Sequence, residues 1–254
     1  MKPYEQILLR NGNLKNNFSK HAKSYDRYAH LQKSMAEKLA SFLPIPLPKN
    51  VLEIGCGTGL FSRHLLTQPI KNLTLNDIAP GMLEILKTTL SLSENIKILP
   101  GNAERINFHN IDLICANAVF QWFQEPQKTL KNLNQALASR GELIFSTFGP
   151  KTLVEFRETA GMTSPIELHK NETWEKMIRG AGFIIKSFDA ETRTIYSSNT
   201  RSLLKSLQQI GATPMRMLKA GGLRKLIRDY DSKFSTNAGV YATWELYYFS
   251  LIHK

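Results

Sequence analysis

The sequence predicts a doubly wound α/β fold, a parallel sheet covered by helices on both faces. Three observations carry this. Short apolar segments that suit strands alternate with amphipathic helical segments between residues 51 and 148, the pattern of a parallel sheet. The first strand runs into a glycine-rich turn and then a helix, and the second ends on an acidic residue. No apolar run approaches the roughly 20 residues of a membrane helix, so the apolar residues are available for an internal core.

The elements follow in order. Over residues 27–43, Leu31, Met35, Leu39 and Phe42/Leu43 share one helical face, and Pro44, Pro46 and Pro48 end the helix. Val51–Ile54 is a strand, Gly55-Cys56-Gly57-Thr58-Gly59 a turn, and Leu60 to Leu66 a helix. Leu73–Leu75 is a second strand, ending at Asn76-Asp77, and Met82, Leu83, Ile85 and Leu86 mark the next helix. Ile96–Leu99 and Ile111–Ala116 are further strands. Leu130, Leu133 and Leu137 mark a helix with Gly141 expected at its C-cap, and Glu142–Phe148 is the fifth strand. Past Pro150 the rhythm changes. Trp174–Ala181 reads as a helix, Phe183–Phe188 and Thr192–Tyr196 as two extended pieces, and Leu203–Ile210 as a helix closed by Gly211. A basic helix near Leu223–Tyr230 precedes a long final strand from Val240 to Ile252.

A chain of 254 residues suits one domain with a substantial core. It is expected to comprise an N-terminal helical segment (1–48), a nucleotide-binding core (49–150), and a C-terminal part (151–254). The last would complete the sheet and carry a basic helical insertion at about 198–235. The N-terminus has no signal-peptide h-region, and the two cysteines suggest no disulfide framework, so a cytoplasmic location is expected. No His/Cys spacing suits a metal, and none is expected.

Charge is uneven along the chain. Lys and Arg outnumber Asp and Glu nine to three over 1–50 and sixteen to ten over 151–254, while 51–150 is balanced at eight each. Within 193–233, nine basic residues face only Asp229 and Asp231. Such a surface either steers an acidic macromolecule or is merely solvated.

The turn after the first strand carries the chemistry. Glycines at 55, 57 and 59 let a ligand lie against bare peptide, and Asp77, at the end of the next strand, is placed to accept hydrogen bonds from ribose hydroxyls. The third glycine comes one residue too early for the dinucleotide fingerprint G-x-G-x-x-G. Glu53 would repel a pyrophosphate but suits a cationic, amino-acid-bearing ligand. S-adenosylmethionine is therefore expected over NAD.

Glu53-Ile54-Gly55-Cys56-Gly57-Thr58-Gly59, followed by Asn76-Asp77-Ile78-Ala79-Pro80-Gly81-Met82-Leu83, resembles the motif pair of class I methyltransferases. Further segments narrow the resemblance: Phe18 to Ala22 with Tyr25, Asp26, Ala29 and Gln32; Asn117 to Trp122; Ser146 to Pro150; and Leu204 to Ala212. Together they resemble the BioC family, malonyl-acyl-carrier-protein O-methyltransferases that begin pimeloyl formation in biotin synthesis. The resemblance runs from about residue 15 to the C-terminus. Two segments depart from it: Ser139-Arg140-Gly141-Glu142 replaces the usual Arg-Pro-Gly-Gly, and 165–171 lacks a His-x-Asn-x-Phe pattern.

The resemblance implies a Rossmann-like class I methyltransferase sheet, with the basic helical insertion as a lid before the last strand. It places Glu53, Gly55, Cys56, Gly57, Gly59, Asp77, Ile78, Met82, Asn102, Ala103, Asn117 and Gln32 at the cofactor. Asn102 stands where an Asp usually meets the adenine amino group. Tyr25 and Gln32, expected on one N-terminal helix, would close over the cofactor's carboxylate. Methyl transfer to a carboxylate needs positioning and no general base, because the acceptor is already ionised at neutral pH. Arg157 is the first candidate to orient that carboxylate, with Arg201 and Lys205 as others. Phe120, Gln121 and Trp122 are expected to line the substrate pocket. Arg201, Lys205, Arg216, Lys219, Arg224, Lys225 and Arg228 would dock an acidic, malonyl-loaded acyl carrier protein. Other readings stay open: methylation of a free small acid or quinone precursor, RNA methylation (which lacks an aromatic single-strand platform), and a non-catalytic cofactor binder.

Overall fold

The structure, a computed structural model, describes residues 3–161, 166–211 and 220–254, with the side chains of 3–13 and 220 left aside. Two helices open the chain, α1 (Pro3–Tyr28) and α2 (His30–Ala40). They are separated at Ala29, whose φ of −86° and ψ of 36° leave the helical region. Tyr25 and Gln32 thus sit on two helices, not the single one expected. The heptad-like face of α2 is buried through Leu31, Gln32, Met35, Ala36 and Leu39.

The strands β1 (Asn50–Ile54), β2 (Asn72–Asp77), β3 (Ile96–Pro100), β4 (Ile111–Ala116) and β5 (Leu137–Phe148) run parallel. Between them lie α3 (Ser62–Leu65), α4 (Pro80–Thr89) and α5 (Pro126–Ala136). After β5 come α6 (Val154–Ala160), α7 (Asn171–Gly180), β6 (Phe183–Ser197), α8 (Thr200–Gln209), α9 (Ala220–Phe234), β7 (Ser235–Thr236) and β8 (Gly239–His253). The sheet order is β3-β2-β1-β4-β5-β8-β6, with β7 paired to β8. The final strand is antiparallel to both neighbours and is inserted between β5 and β6.

Both sheet faces are covered, as predicted. Along β1 and β5, alternate residues reach opposite cores: Val51 and Ile144 pack towards α2, α8 and α9, while Leu52, Ile54, Leu143 and Phe145 pack towards α5 and α7. Strand order reverses between β1 and β4, which opens a crevice at their carboxyl ends. Gly55 and Asn117 emerge there.

Three local expectations are corrected. Gly141 does not cap α5, which ends at Ala136 as Leu137 turns extended into β5. A Cβ at Gly141 would stand 2.9 Å from the Ala138 carbonyl and 3.1 Å from that of Ile111, so close backbone approach is what suits glycine there. The helix after the glycine turn shrinks to the four residues of α3. The two extended pieces after residue 183 are one strand, β6, whose register with β8 shifts between Ile185 and Ser187. Among the described residues, no helix is long and apolar enough to cross a membrane.

Candidate active site

The glycine turn leaves β1 at Gly55, where φ is +66° and a Cβ would lie 2.4 Å from Val119 Cγ2. Any side chain there would strain the backbone and collide with the loop after β4. Next to the turn, Asp77 ends β2. Its Oδ2 accepts the Gly57 N–H at 2.8 Å and its Oδ1 the Ala79 N–H at 2.7 Å. The Ile78 N–H also bonds this carboxylate, which leaves one of its four lone pairs open to a ligand hydroxyl. Burial pushes the Asp77 carboxyl up to about 6, against the pull of these N–H donors. Glu53 is buried beneath the turn, and its Oε2 accepts from Ser62 Oγ at 2.6 Å. Burial, reinforced by Asp77 and opposed by Ser62, pushes its carboxyl up to about 8.

Two adjoining cavities lie at these strand ends. The larger holds about 710 Å³ including its open mouth, with Asp77, Ile78, Met82, Asn102, Ala103 and Trp122 among its walls. The smaller, about 290 Å³, includes Gln32, Glu53 and Cys56. Tyr25, Gly55, Gly57 and Asn117 border both, whereas Gly59, expected at the cofactor, borders neither and faces Leu86 and Leu90. This set fits S-adenosylmethionine. Gln32 is 8% exposed, and its Oε1 is buried without a hydrogen-bond partner, an acceptor suited to the ammonium of a methionyl group. Ile78 and Met82 offer apolar surface to a base, and Asp77 an acceptor to ribose.

The flanking residues hold these groups in place. Asn117 Nδ2 donates to the Gln32 carbonyl at 3.0 Å, and its Oδ1 accepts from Ser146 Oγ at 2.8 Å, tying α2 to the ends of β4 and β5. Asn102 Oδ1 accepts the Glu104 N–H at 3.0 Å, so the side chain expected at adenine also caps a short turn. Tyr25 keeps its proton. Burial raises its hydroxyl well above the usual range, and Asp77 and Asp26 add to the effect. Cys56 is buried and its thiol is pushed up by burial, so it acts as a small wall residue.

Other expected residues are placed elsewhere. Phe120 is 1% exposed and stacks on Phe145 at 3.9 Å between ring centres, within the core. Gln121 is buried, donating to the Ala118 carbonyl at 2.6 Å and accepting from Thr147 Oγ1 at 3.2 Å. Of the three, only Trp122 lines the larger cavity. Arg157 borders neither cavity, and its guanidinium donates to the Pro150 and Thr152 carbonyls of the loop after β5. Arg201 and Lys205 are exposed on α8, and Arg224, Lys225 and Arg228 on α9. Lys225 and Arg228 both meet Asp229. Arg216 and Lys219 lie outside the described residues.

The site also contains residues that lie within the segments carrying the resemblance but were given no role there. Asn76 lines the larger cavity and donates to the carbonyls of Leu99 and Gly101, at 2.8 and 3.1 Å. Its place before Asp77 was the available signal. Val119, inside the segment Asn117 to Trp122, had no role assigned, because its role arises only where the β4 loop meets Gly55.

A family described as a methyltransferase domain matches residues 52–145. The chain is 34% identical to malonyl-[acyl-carrier protein] O-methyltransferase 1 of Ilyobacter polytropus, over 88% of this chain and 86% of that protein. It is 32% identical to the malonyl-[acyl-carrier protein] O-methyltransferase of a Paenibacillus species, over 88% and 92% respectively. A solved structure of Haemonchus contortus phosphoethanolamine N-methyltransferase 2 with S-adenosyl-L-methionine shares the fold. It has a TM-score of 0.57 and 17% identity, over 92% of this chain and 57% of that one.

Proposed function

Because the chain belongs to the malonyl-[acyl-carrier protein] O-methyltransferase family, we propose that it methylates the free carboxylate of a malonyl group held as a thioester on acyl carrier protein. On this reading it opens pimeloyl formation in biotin synthesis. The observation that carries the proposal is the extent of the similarity, which spans the cofactor core and both flanks.

The cofactor is S-adenosylmethionine, which supplies a methyl group made electrophilic by its sulfonium sulfur. Asp77 accepts from the ribose hydroxyls, Ile78 and Met82 flank the base, and Gln32 Oε1 accepts from the ammonium. Above about pH 6 the Asp77 carboxyl is ionised and accepts only, as ribose requires. Tyr25, neutral at working pH, presents a hydroxyl donor across the cleft. The acceptor carboxylate is ionised already, so these residues need only align it and exclude water. Trp122 supplies part of that apolar screen.

Arg201 and Lys205 on α8, with Arg224, Lys225 and Arg228 on α9, form the docking surface in this proposal, and Arg216 and Lys219 extend it in sequence. Carrier proteins that present many carboxylates would be steered to such a surface. Arg157 would serve by steadying the loop after β5; Arg201 and Lys205 also border neither cavity, so their part in this proposal is carrier docking. The free, buried thiols of Cys56 and Cys115 suit a reducing cytoplasm, where we place the reaction.

The test is to incubate the protein with S-adenosylmethionine and malonyl-loaded carrier, and weigh the carrier. One added methyl group, abolished by Asp77→Ala and much reduced with a small malonyl thioester, is expected. Equal turnover of free acid and carrier-bound substrate would overturn the carrier assignment in favour of a small-acid methyltransferase.

A further inference from the structure

Leu14, Phe18 and Tyr25 of α1 wall the larger cavity, so α1 covers the cofactor cleft. Only the break at Ala29 joins it to α2, and its position therefore depends on its packing through Ala22 against Ala79 and Met82 and on the polar bonds its side chains make elsewhere. Ser19 Oγ accepts the Gly81 N–H at 3.2 Å, on α4. Ser24 Oγ donates to Gln209 Oε1 at 2.6 Å, on α8. Asp26 differs from both, because it reaches the glycine turn itself. Thr58 Oγ1 donates to Asp26 Oδ1, and Arg63 Nη2 lies 3.3 Å from Asp26 Oδ2.

Thr58 is 1% exposed, whereas the Asp26 side chain is 41% exposed. Thr58 follows Gly57, whose N–H is held by Asp77. One carboxylate outside the cleft thus links the cover to the same turn that faces the cofactor. We infer that Asp26 is a positioning residue, a latch that fastens α1 to the cofactor turn and so sets Tyr25 across the bound methionyl end. A latch at the edge of solvent is physically apt. It forms a charge-assisted bond strong enough to hold the cover, and water can replace it when α1 must lift.

The inference rests on the cofactor assignment of this site and is independent of the acyl substrate. It is tested by calorimetry with S-adenosylhomocysteine and by steady-state kinetics, using Asp26→Ala, Asp26→Asn, Thr58→Val and the double variant Asp26→Ala/Thr58→Val. Asp26→Ala and Thr58→Val should each weaken binding about tenfold, the scale of a hydrogen bond to a charged group. The double variant should lose no more than Asp26→Ala, because Thr58→Val removes a bond that Asp26→Ala already removes along with the Arg63 pair. Asp26→Asn should recover most of the affinity, since its carbonyl still accepts from Thr58. The loss should appear in KM for S-adenosylmethionine and not in kcat.

Unchanged affinity in Asp26→Ala with a thermal midpoint matching the parent would overturn the latch, as would additive losses in the double variant. If Thr58→Val does not fold, equal losses in Asp26→Ala and Asp26→Asn overturn it instead. A parent protein that binds no S-adenosylhomocysteine removes the cofactor assignment and the latch together. Failure in the variants alone removes only the latch.

Discussion

At the scale of single residues, the site keeps groups that cost stability until the cofactor binds. Gln32 Oε1 is buried without a partner, a burden of roughly 1–3 kcal/mol for a desolvated acceptor. Gln32→Leu, similar in volume, should therefore stabilise the cofactor-free protein and weaken S-adenosylmethionine binding. Denaturant titration and calorimetry read these two opposite effects, and a loss of both stability and affinity would refute the assignment. Glu53 behaves in the same way through its proton. Its carboxyl lies at about 8 in the fold against an ordinary 4.5, so between these values the folded chain holds a proton that the unfolded chain has released. Stability from this group is present at low pH and is lost as pH rises through about 8. Glu53→Gln should accordingly be more stable than the parent at pH 8.5, without cofactor, and the gap should narrow at pH 5.5. Thermal midpoints of both proteins across that range check it. The glycine turn and Asp77, which line the two cavities, were legible because their geometry is local: glycines in a turn, an acid at a strand end. Phe120 and Gln121 were not, because whether a residue after β4 faces the cleft or the core depends on what packs above it. Phe145 and Thr147 of β5 decide that.

At the scale of elements, the helices over the cleft are held by close contacts that sequence spacing does not reveal. α1 crosses α4 at Gly81, where a Cβ would meet the Ser19 carbonyl oxygen at 2.7 Å and its Cα at 2.8 Å. Backbone occupies the space, so no side-chain rotation relieves the clash. Gly81→Ala should cost about 1–3 kcal/mol through overpacking, and should weaken cofactor binding because Phe18 and Tyr25 ride on α1. Urea denaturation with binding calorimetry measures both, and a neutral substitution would show that the crossing is loose. α2 is pinned from the other side. Arg193 donates to Ser34 Oγ at 2.6 Å and to Glu191 at 2.7 Å, while Lys38 pairs with Asp189 at 2.7 Å. Arg193, counted at the sequence level within a basic stretch, is thus committed to this network. The apolar face of α2 was visible as a helical period. Its separation from α1 was not, since nothing around Ala29 reads as a breaker.

At the scale of the whole molecule, β8 lies between β5 and β6 and closes the sheet with α8 and α9 inserted before it. The insertion presents Arg201, Lys205, Arg224, Lys225 and Arg228 to solvent, on a segment separate in sequence from the neutral stretch 51–150 that builds the glycine turn. If these cations receive the carrier, KM for malonyl-carrier should rise steeply with salt, while KM for a small malonyl thioester should stay nearly constant. Parallel salt dependence for both substrates would count against docking. Period, glycine placement and charge distribution alone determined the parallel strands β1 to β5, the glycine turn with Asp77 beside it, and the basic flanks. Each of these is a short-range property, written within one strand, turn or segment. Only the tertiary structure decided that Phe120 and Gln121 turn inward, that Arg157 serves a loop, that Gly81 admits α1, and that Asp26 reaches Thr58. These depend on elements distant in the chain meeting at particular atoms, and the geometry of those meetings is set by the packing of the entire sheet and its helices.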